Sequence, residues 1–125
     1  MLSGIHHVAL WVSDLVKAKA FYVDALGFAV ESEHARPERG DIILNLRMVD
    51  MRLELFSGAG HPPRMSWPEA LGLRHLAFRV TDIDAALKVL ADKGVVAEPV
   101  RTDAFTGERM TFINDPDGQP IELHE

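Results

Sequence analysis

Two histidines and two glutamates stand in matching places in this chain, and they are the side chains best suited to chemistry. His7 and His75 are 68 positions apart, and so are Glu54 and Glu122. Imidazole nitrogen and carboxylate oxygen together make an N2O2 donor set, which suits Zn, Ni, Co, Fe or Mn better than Ca or Cu(I). Such a set leaves positions for water or substrate oxygens, as a catalytic metal requires and a structural one does not. The first expectation is therefore a divalent metal, with Zn or Ni ahead of Co, Mn or Fe. Its ligands would be His7, Glu54, His75 and Glu122.

A lone histidine on a strand is usually packed or solvated, and a lone glutamate near a strand end is usually wet. What changes the balance here is repetition. His7-Val-Ala-Leu-Trp-Val-Ser-Asp14 returns as His75-Leu-Ala-Phe-Arg-Val-Thr-Asp82, and Leu53-Glu54-Leu55 returns as Ile121-Glu122-Leu123. A duplicated structural unit must repeat its apolar residues and its capping Asp, but it need not repeat inward polar ones. Leaving a buried charge without its partner costs roughly 3–5 kcal/mol, so a shared cation is a physical reason to keep both carboxylates.

The elements that must position these four follow from the pattern. Ile5 to Val12 alternates as a strand, with Ile5, His7, Ala9 and Trp11 on one face and an aliphatic set on the other. Ser13 or Asp14 then caps a helix whose apolar stripe is Leu15, Ala18, Phe21, Tyr22 and Leu26, stopped at Gly27. The second copy repeats the grammar with Asp82, then Ile83, Ala86, Leu87 and Leu90, then Gly94. Three short strands are expected after each helix: about Ala29 to Glu33, Asp41 to Leu46 and Asp50 to Phe56, then about Val95 to Arg101, Arg109 to Ile113 and Gln119 to His124. Asn114-Asp-Pro-Asp-Gly118 signals the turn of a hairpin. The pattern is one domain over residues 1–125. It consists of a βαβββ module at about 1–56, a Gly- and Pro-rich linker at about 57–72, and a second βαβββ module at about 73–125.

Strand parity decides whether a ligand points inward, since a one-residue slip reverses every side chain. Glu54 lies opposite Leu53 and Leu55, and Glu122 lies opposite Ile121 and Leu123. Both carboxylates should turn away from the helix-covered side, as the histidines do, so that the four converge on one concave surface.

Composition narrows the field. A hydrophobic content of 47% with 26% charged residues argues for a packed domain rather than a disordered chain. The net charge of -6 and the lack of a basic stripe argue against nucleic acid as a partner. No run approaches the roughly 20 apolar residues of a membrane span, so no membrane is expected. No export signal is evident and there is no Cys, which makes the cytoplasm the expected compartment and excludes thiolate chemistry.

Other residues are candidates for a substrate pocket. Trp11 and Arg79 are equivalent in the repeat and should both face the pocket, one to stack and one to clamp an anion. Phe56 and Phe105, with Trp67, could line a cleft. His6 faces away from His7 and reads as packing. His124 shares the face of Glu122 but stands one residue from the last position, where fraying is expected. The connections at residues 36–40 and 102–108 are candidates to border the pocket, although an ordinary hairpin loop is the first reading of each.

The sequence resembles the vicinal-oxygen-chelate superfamily of glyoxalase I, extradiol dioxygenases, methylmalonyl-CoA epimerase and the fosfomycin- and bleomycin-resistance proteins. The resemblance spans nearly the whole chain. It rests on His7-Val-Ala-Leu, Phe21-Tyr-Val-Asp-Ala-Leu-Gly-Phe28, Glu54, Gly72-Leu-Arg-His-Leu-Ala-Phe78 and Asn114-Asp-Pro-Asp-Gly118 leading to Ile121-Glu-Leu123. It implies an α+β fold, glyoxalase-like, in which paired βαβββ modules form a U-shaped mixed sheet around a divalent metal, usually in a homodimer. The nearest resemblance is to small lactoylglutathione-lyase-like metalloproteins. In glyoxalase I, an Arg on the first strand and an Asn four residues past the first Glu ligand hold glutathione. Those positions are Trp11 and Gly58 here, which weighs against glutathione. The expected activity is that of a metal-dependent lyase or isomerase of the glyoxalase I type. It would act on a small carbonyl substrate through a metal-bound enediolate, with Glu122 as first choice of base and Glu54 as second. The alternatives are a non-catalytic bleomycin-resistance-type binding protein and an extradiol-type dioxygenase. The second is disfavoured because Glu54 offers a fourth ligand where that chemistry uses three.

Overall fold

The computed structural model describes residues 1–125, which divide into two compact units, Met1–Pro62 and Pro63–Glu125. In the first, the alternation of Leu53, Glu54 and Leu55 sorts the chain as the pleat demands: both leucines are fully buried and Glu54 is part-exposed. These residues belong to β4 (Met51–Gly58), an interior strand of a sheet that also contains β1 (Val8–Val12), β2 (Ala29–Arg36) and β3 (Asp41–Met48). The order is β1-β4-β3-β2, with β1 parallel to β4 and the remaining pairs antiparallel. Leu44, Leu46, Phe21, Tyr22 and Phe28 complete the buried side.

Helix α1 (Leu15–Lys19) starts where Asp14 accepts the backbone N–H of Lys17 at 3.0 Å. The expected single helix to Leu26 is instead two geometries. Past Lys19 the turns widen to π-helical over Ala20–Ala25, and Leu26 N–H reaches Phe21 C=O at 2.9 Å. Adjacent Phe21 and Tyr22 are both buried there, edge to face with ring centroids 5.0 Å apart.

The second unit repeats the plan. Strands β5 (Leu76–Arg79), β6 (Arg101–Thr102), β7 (Arg109–Asn114) and β8 (Pro120–His124) follow the order β5-β8-β7-β6, with β5 parallel to β8. Helix α2 (Ile83–Asp92) is capped by Asp82, whose carboxylate accepts the N–H of Ala85 at 2.9 Å. Ile83, Ile113 and Ile121 are fully buried. The repeat extends to register: Ala9 lies beside Glu54 in one unit and Ala77 beside Glu122 in the other. Each unit is βαβββ, and the fold class is α+β.

The strand expected over Val95 to Arg101 is the one element that largely fails to form. Only Arg101–Thr102 pairs as a strand, and upstream there is a single bridge of Ala97 to Ile113. Pro99 has no N–H to give a ladder. The segment is held instead by Glu98, whose N–H donates to Phe112 C=O at 2.9 Å and whose C=O accepts Thr111 Oγ1 at 2.7 Å.

Between β7 and β8 the expected turn is built on Asp115, which is 5% exposed. Its carboxylate accepts the N–H groups of Asp117 at 2.9 Å and Gln119 at 2.8 Å. Replacing Asp115 by Ala leaves both donors without that acceptor, so unfolding free energy from urea titration should fall by about 1–3 kcal/mol. A loss below about 0.5 kcal/mol would mean that the hairpin closes without it.

No helix is long and apolar enough to cross a membrane.

Candidate metal centre

Each histidine stands one residue before its strand, and each glutamate lies mid-strand on the parallel neighbour. That arrangement brings them together within a unit. His7 Nε2 lies 3.4 Å from Glu54 Oε2, and His75 Nε2 lies 3.0 Å from Glu122 Oε2. The small residue beside each glutamate, Ala9 or Ala77, leaves the rung open for the carboxylate. No group of three or more His, Cys, Asp or Glu side chains in the chain is arranged to hold an ion, so the donors stand as two pairs.

The pairs fit a cation. Donors bonded to one ion at about 2.1 Å, at angles between 90° and tetrahedral, stand about 3.0–3.4 Å apart. Both His–Glu separations fall in that interval, with imidazole Nε2 and carboxylate oxygen facing each other.

The surroundings of the two pairs differ. In the first unit His7 Nδ1 is 2.9 Å from His6 Nδ1, and the rings meet edge to face at 5.1 Å. This corrects the expectation that His6 merely packs on the opposite face. The contact needs one N–H and one lone pair, and with the proton on His7 its Nε2 is left as a free donor atom. Glu54 is 30% exposed at its side chain.

Glu122 is more enclosed, with a side chain only 10% exposed. Its second oxygen, Oε1, lies 2.5 Å from His124 Nδ1, and His124 Nε2 lies 2.7 Å from Glu108 Oε2. Two carboxylates, Glu122 first and Glu108 second, raise the His124 pKa above its ordinary value. His124, expected to fray, is a full member of the ladder: it sits opposite Arg79 and Met110, and its C=O accepts Val80 N–H at 2.9 Å. Sequence parity had put it on the face of Glu122. Glu108 ends the 102–108 connection, a candidate pocket border in the sequence, but nothing there marked it as a partner of His124.

A concavity of about 350 Å³ opens in front of the second pair, lined by His75, Glu122, Phe112, Phe105, Arg74 and Arg101. Phe105 is at its mouth and almost wholly exposed. The His75 ring meets Phe112 edge to face at 5.2 Å, and the Arg101 guanidinium lies 5.2 Å over the same ring. Arg79 lines a different hollow of about 240 Å³, shared with Glu108 and His124.

In the first unit Trp11 and Phe56 line a smaller hollow of about 140 Å³ with Ala9 and Leu10. Trp11 stacks on His61, with ring centroids 3.6 Å apart, and tilts against Phe56 at 5.4 Å. His61 was not anticipated, because it comes from the Gly- and Pro-rich stretch with no periodicity. Gly58 belongs to the same packing. A Cβ there would approach Asp41 Cβ at 3.2 Å and the Trp11 ring at 3.6 Å. The tight approach is the one to Asp41, while a Cβ at 58 would meet the Trp11 ring only at ordinary contact distance.

The model of the Glyoxalase/Bleomycin resistance protein/Dioxygenase superfamily matches residues 4–123. The chain belongs to that superfamily. It is 50% identical over 126 residues to the uncharacterised protein YwkD of Bacillus subtilis (strain 168), covering 100% of this chain and 98% of the other. It is 30% identical over 132 residues to the mitochondrial methylmalonyl-CoA epimerase of Homo sapiens, covering 99% of this chain and 74% of that protein. Among solved structures, a glyoxalase family protein from Enterococcus faecalis superposes with a TM-score of 0.94 at 51% identity, over 98% of this chain and 97% of that one. The superfamily includes epimerases, and its members commonly use divalent metals and bind small molecules.

Proposed function

We propose that this protein is a divalent-metal-dependent isomerase or lyase that moves a proton on the carbon next to a carbonyl of a small substrate. The observation that supports it is the His–Glu pair repeated at the same rung of two parallel strand pairs, with donor separations of 3.4 and 3.0 Å. In this reading His7, Glu54, His75 and Glu122 serve one cation, Zn or Ni ahead of Co, Mn or Fe, in a cytoplasmic homodimer. A cation held there supplies Lewis-acid stabilisation of the negative charge that develops on substrate oxygen as the proton leaves.

The chain's own groups do the rest. Glu122 is the first choice to take the proton from the α-carbon: it is enclosed and anchored at Oε1 by His124, and its Oε2, once released from the cation, would be the oxygen that accepts it. Glu54, the more exposed carboxylate, is the second group able to take or return one. Trp11, filling the place of a glutathione-holding Arg, favours a substrate other than a glutathione adduct. The epimerase relative favours the isomerase branch.

The test is isotope exchange. Metal-loaded protein in D2O should wash deuterium into the α-position of one class among 2-oxoacids, CoA thioesters and 2-oxoaldehydes with thiols, as followed by proton NMR. A metal-loaded protein that exchanges none of them is not this enzyme.

A second reading draws on the Trp11–His61–Phe56 cluster: a bleomycin-resistance-type protein that binds and does not transform. Elemental analysis after metal-replete expression separates the two, since a binder needs no stoichiometric transition metal.

A further inference from the structure

The two copies of the βαβββ unit are alike at the His–Glu pair and unlike one step beyond it. In the first unit the residue two positions after Glu54 is Phe56, paired with Trp11. In the second, the residue two positions after Glu122 is His124, paired with Arg79. Phe56 cannot hydrogen-bond a carboxylate. His124 does so through Nδ1, 2.5 Å from Glu122 Oε1, while its Nε2 is 2.7 Å from Glu108. Glu122 is left with Oε2 toward His75, and the run Glu108–His124–Glu122–His75 alternates carboxylate and imidazole without a gap.

We infer that His124 is a positioning residue for Glu122: it fixes one oxygen so that the other is presented beside His75 Nε2. This rests on the metal-centre reading above. The physical reason is conformational. A glutamate side chain has three torsions, and a carboxylate tethered at one oxygen has given up most of that freedom before a cation or a substrate arrives. Outer partners of this kind set the orientation of metal-ligating groups. The tether is itself rigid. β8 is an interior strand, laddered to β5 and β7, and the His124 ring is braced on its far nitrogen by Glu108. Glu54, on the other unit's interior strand, has only the His7 contact at 3.4 Å. The two carboxylates are thus inequivalent, one fixed and one freer.

The experiment uses Co(II) as the probe, with affinity from competition titration and geometry from its visible d–d absorption. His124→Phe, which copies the first unit, should weaken Co(II) binding about 10- to 100-fold. His124→Asn places an amide N–H where Nδ1 was and should recover most of that loss. His124→Gln reaches only toward Glu108 and should not. A structural effect alone would move the two amides together, and thermal melting of each variant shows whether the fold survives. Binding by His124→Phe within about twofold of the unmodified protein overturns the inference, as does equal failure of Asn and Phe. Unmodified protein that takes up no Co(II) overturns the metal-centre reading, and this inference with it.

Discussion

Glu122→Gln should lower turnover on the true substrate by about 10²–10⁴-fold, the range in which a positioned general base acts. The same protein should keep its fold. Glu122 stands between Ile121 and Leu123, which point to the buried side, so the substitution leaves the core untouched. Glutamine retains the carbonyl oxygen but cannot hold a proton between two states. His75→Ala should act differently, by removing a donor outright. Structural zinc sites with four ligands bind with roughly 10–16 kcal/mol, or about 2.5–4 kcal/mol per ligand, and on that scale losing one ligand costs about two to three powers of ten in affinity. Circular dichroism, thermal melting and metal titration measured together separate the cases. Wild-type turnover in Glu122→Gln would remove Glu122 from the role of base, and unchanged metal affinity in His75→Ala would remove His75 from the ligand set.

Leu55→Ala should cost about 2–5 kcal/mol of unfolding free energy. Leu55 is fully buried on interior strand β4, paired with Leu10 on one side and Leu44 on the other. Truncation removes three buried carbons and leaves a hole that two laddered neighbours cannot close. A domain of this size has about 5–15 kcal/mol in total, so the shift in urea midpoint will be large. Arg52→Ala is the control. It lies on the other face of the same strand and is exposed, so its effect should stay within about 0.5 kcal/mol. Equal effects would mean that the pleat is assigned the wrong way round.

Much of the frame was legible in the sequence, for identifiable reasons. Leu53, Glu54 and Leu55 give their own facing, because adjacent residues of a strand must point to opposite sides. Asp14 and Asp82 declare helix starts, because a short side-chain acceptor before an apolar stripe has few other uses, and both make the cap bond. Asp115 declared its turn in the same way. The sequence failed where competition was tertiary. It offered Val95 to Arg101 as a strand, and Pro99 broke the ladder. It offered one helix where the turns over Ala20–Ala25 are π-helical, with Phe21 and Tyr22 both buried.

By itself, then, the sequence determined the doubling, the two βαβββ units and which side of each sheet holds His and Glu. Those follow from local periodicity and from repetition, both of which are written along the chain. Only the tertiary structure decided what stands beside them: His6 against His7, His61 stacked on Trp11, and above all Glu108 and His124 bracing Glu122. The reason is distance in sequence. Glu108 and His124 meet because β7 and β8 fold back on one another, and the path of a loop and the rotamer of a ring are set by packing, which no periodicity along the chain encodes.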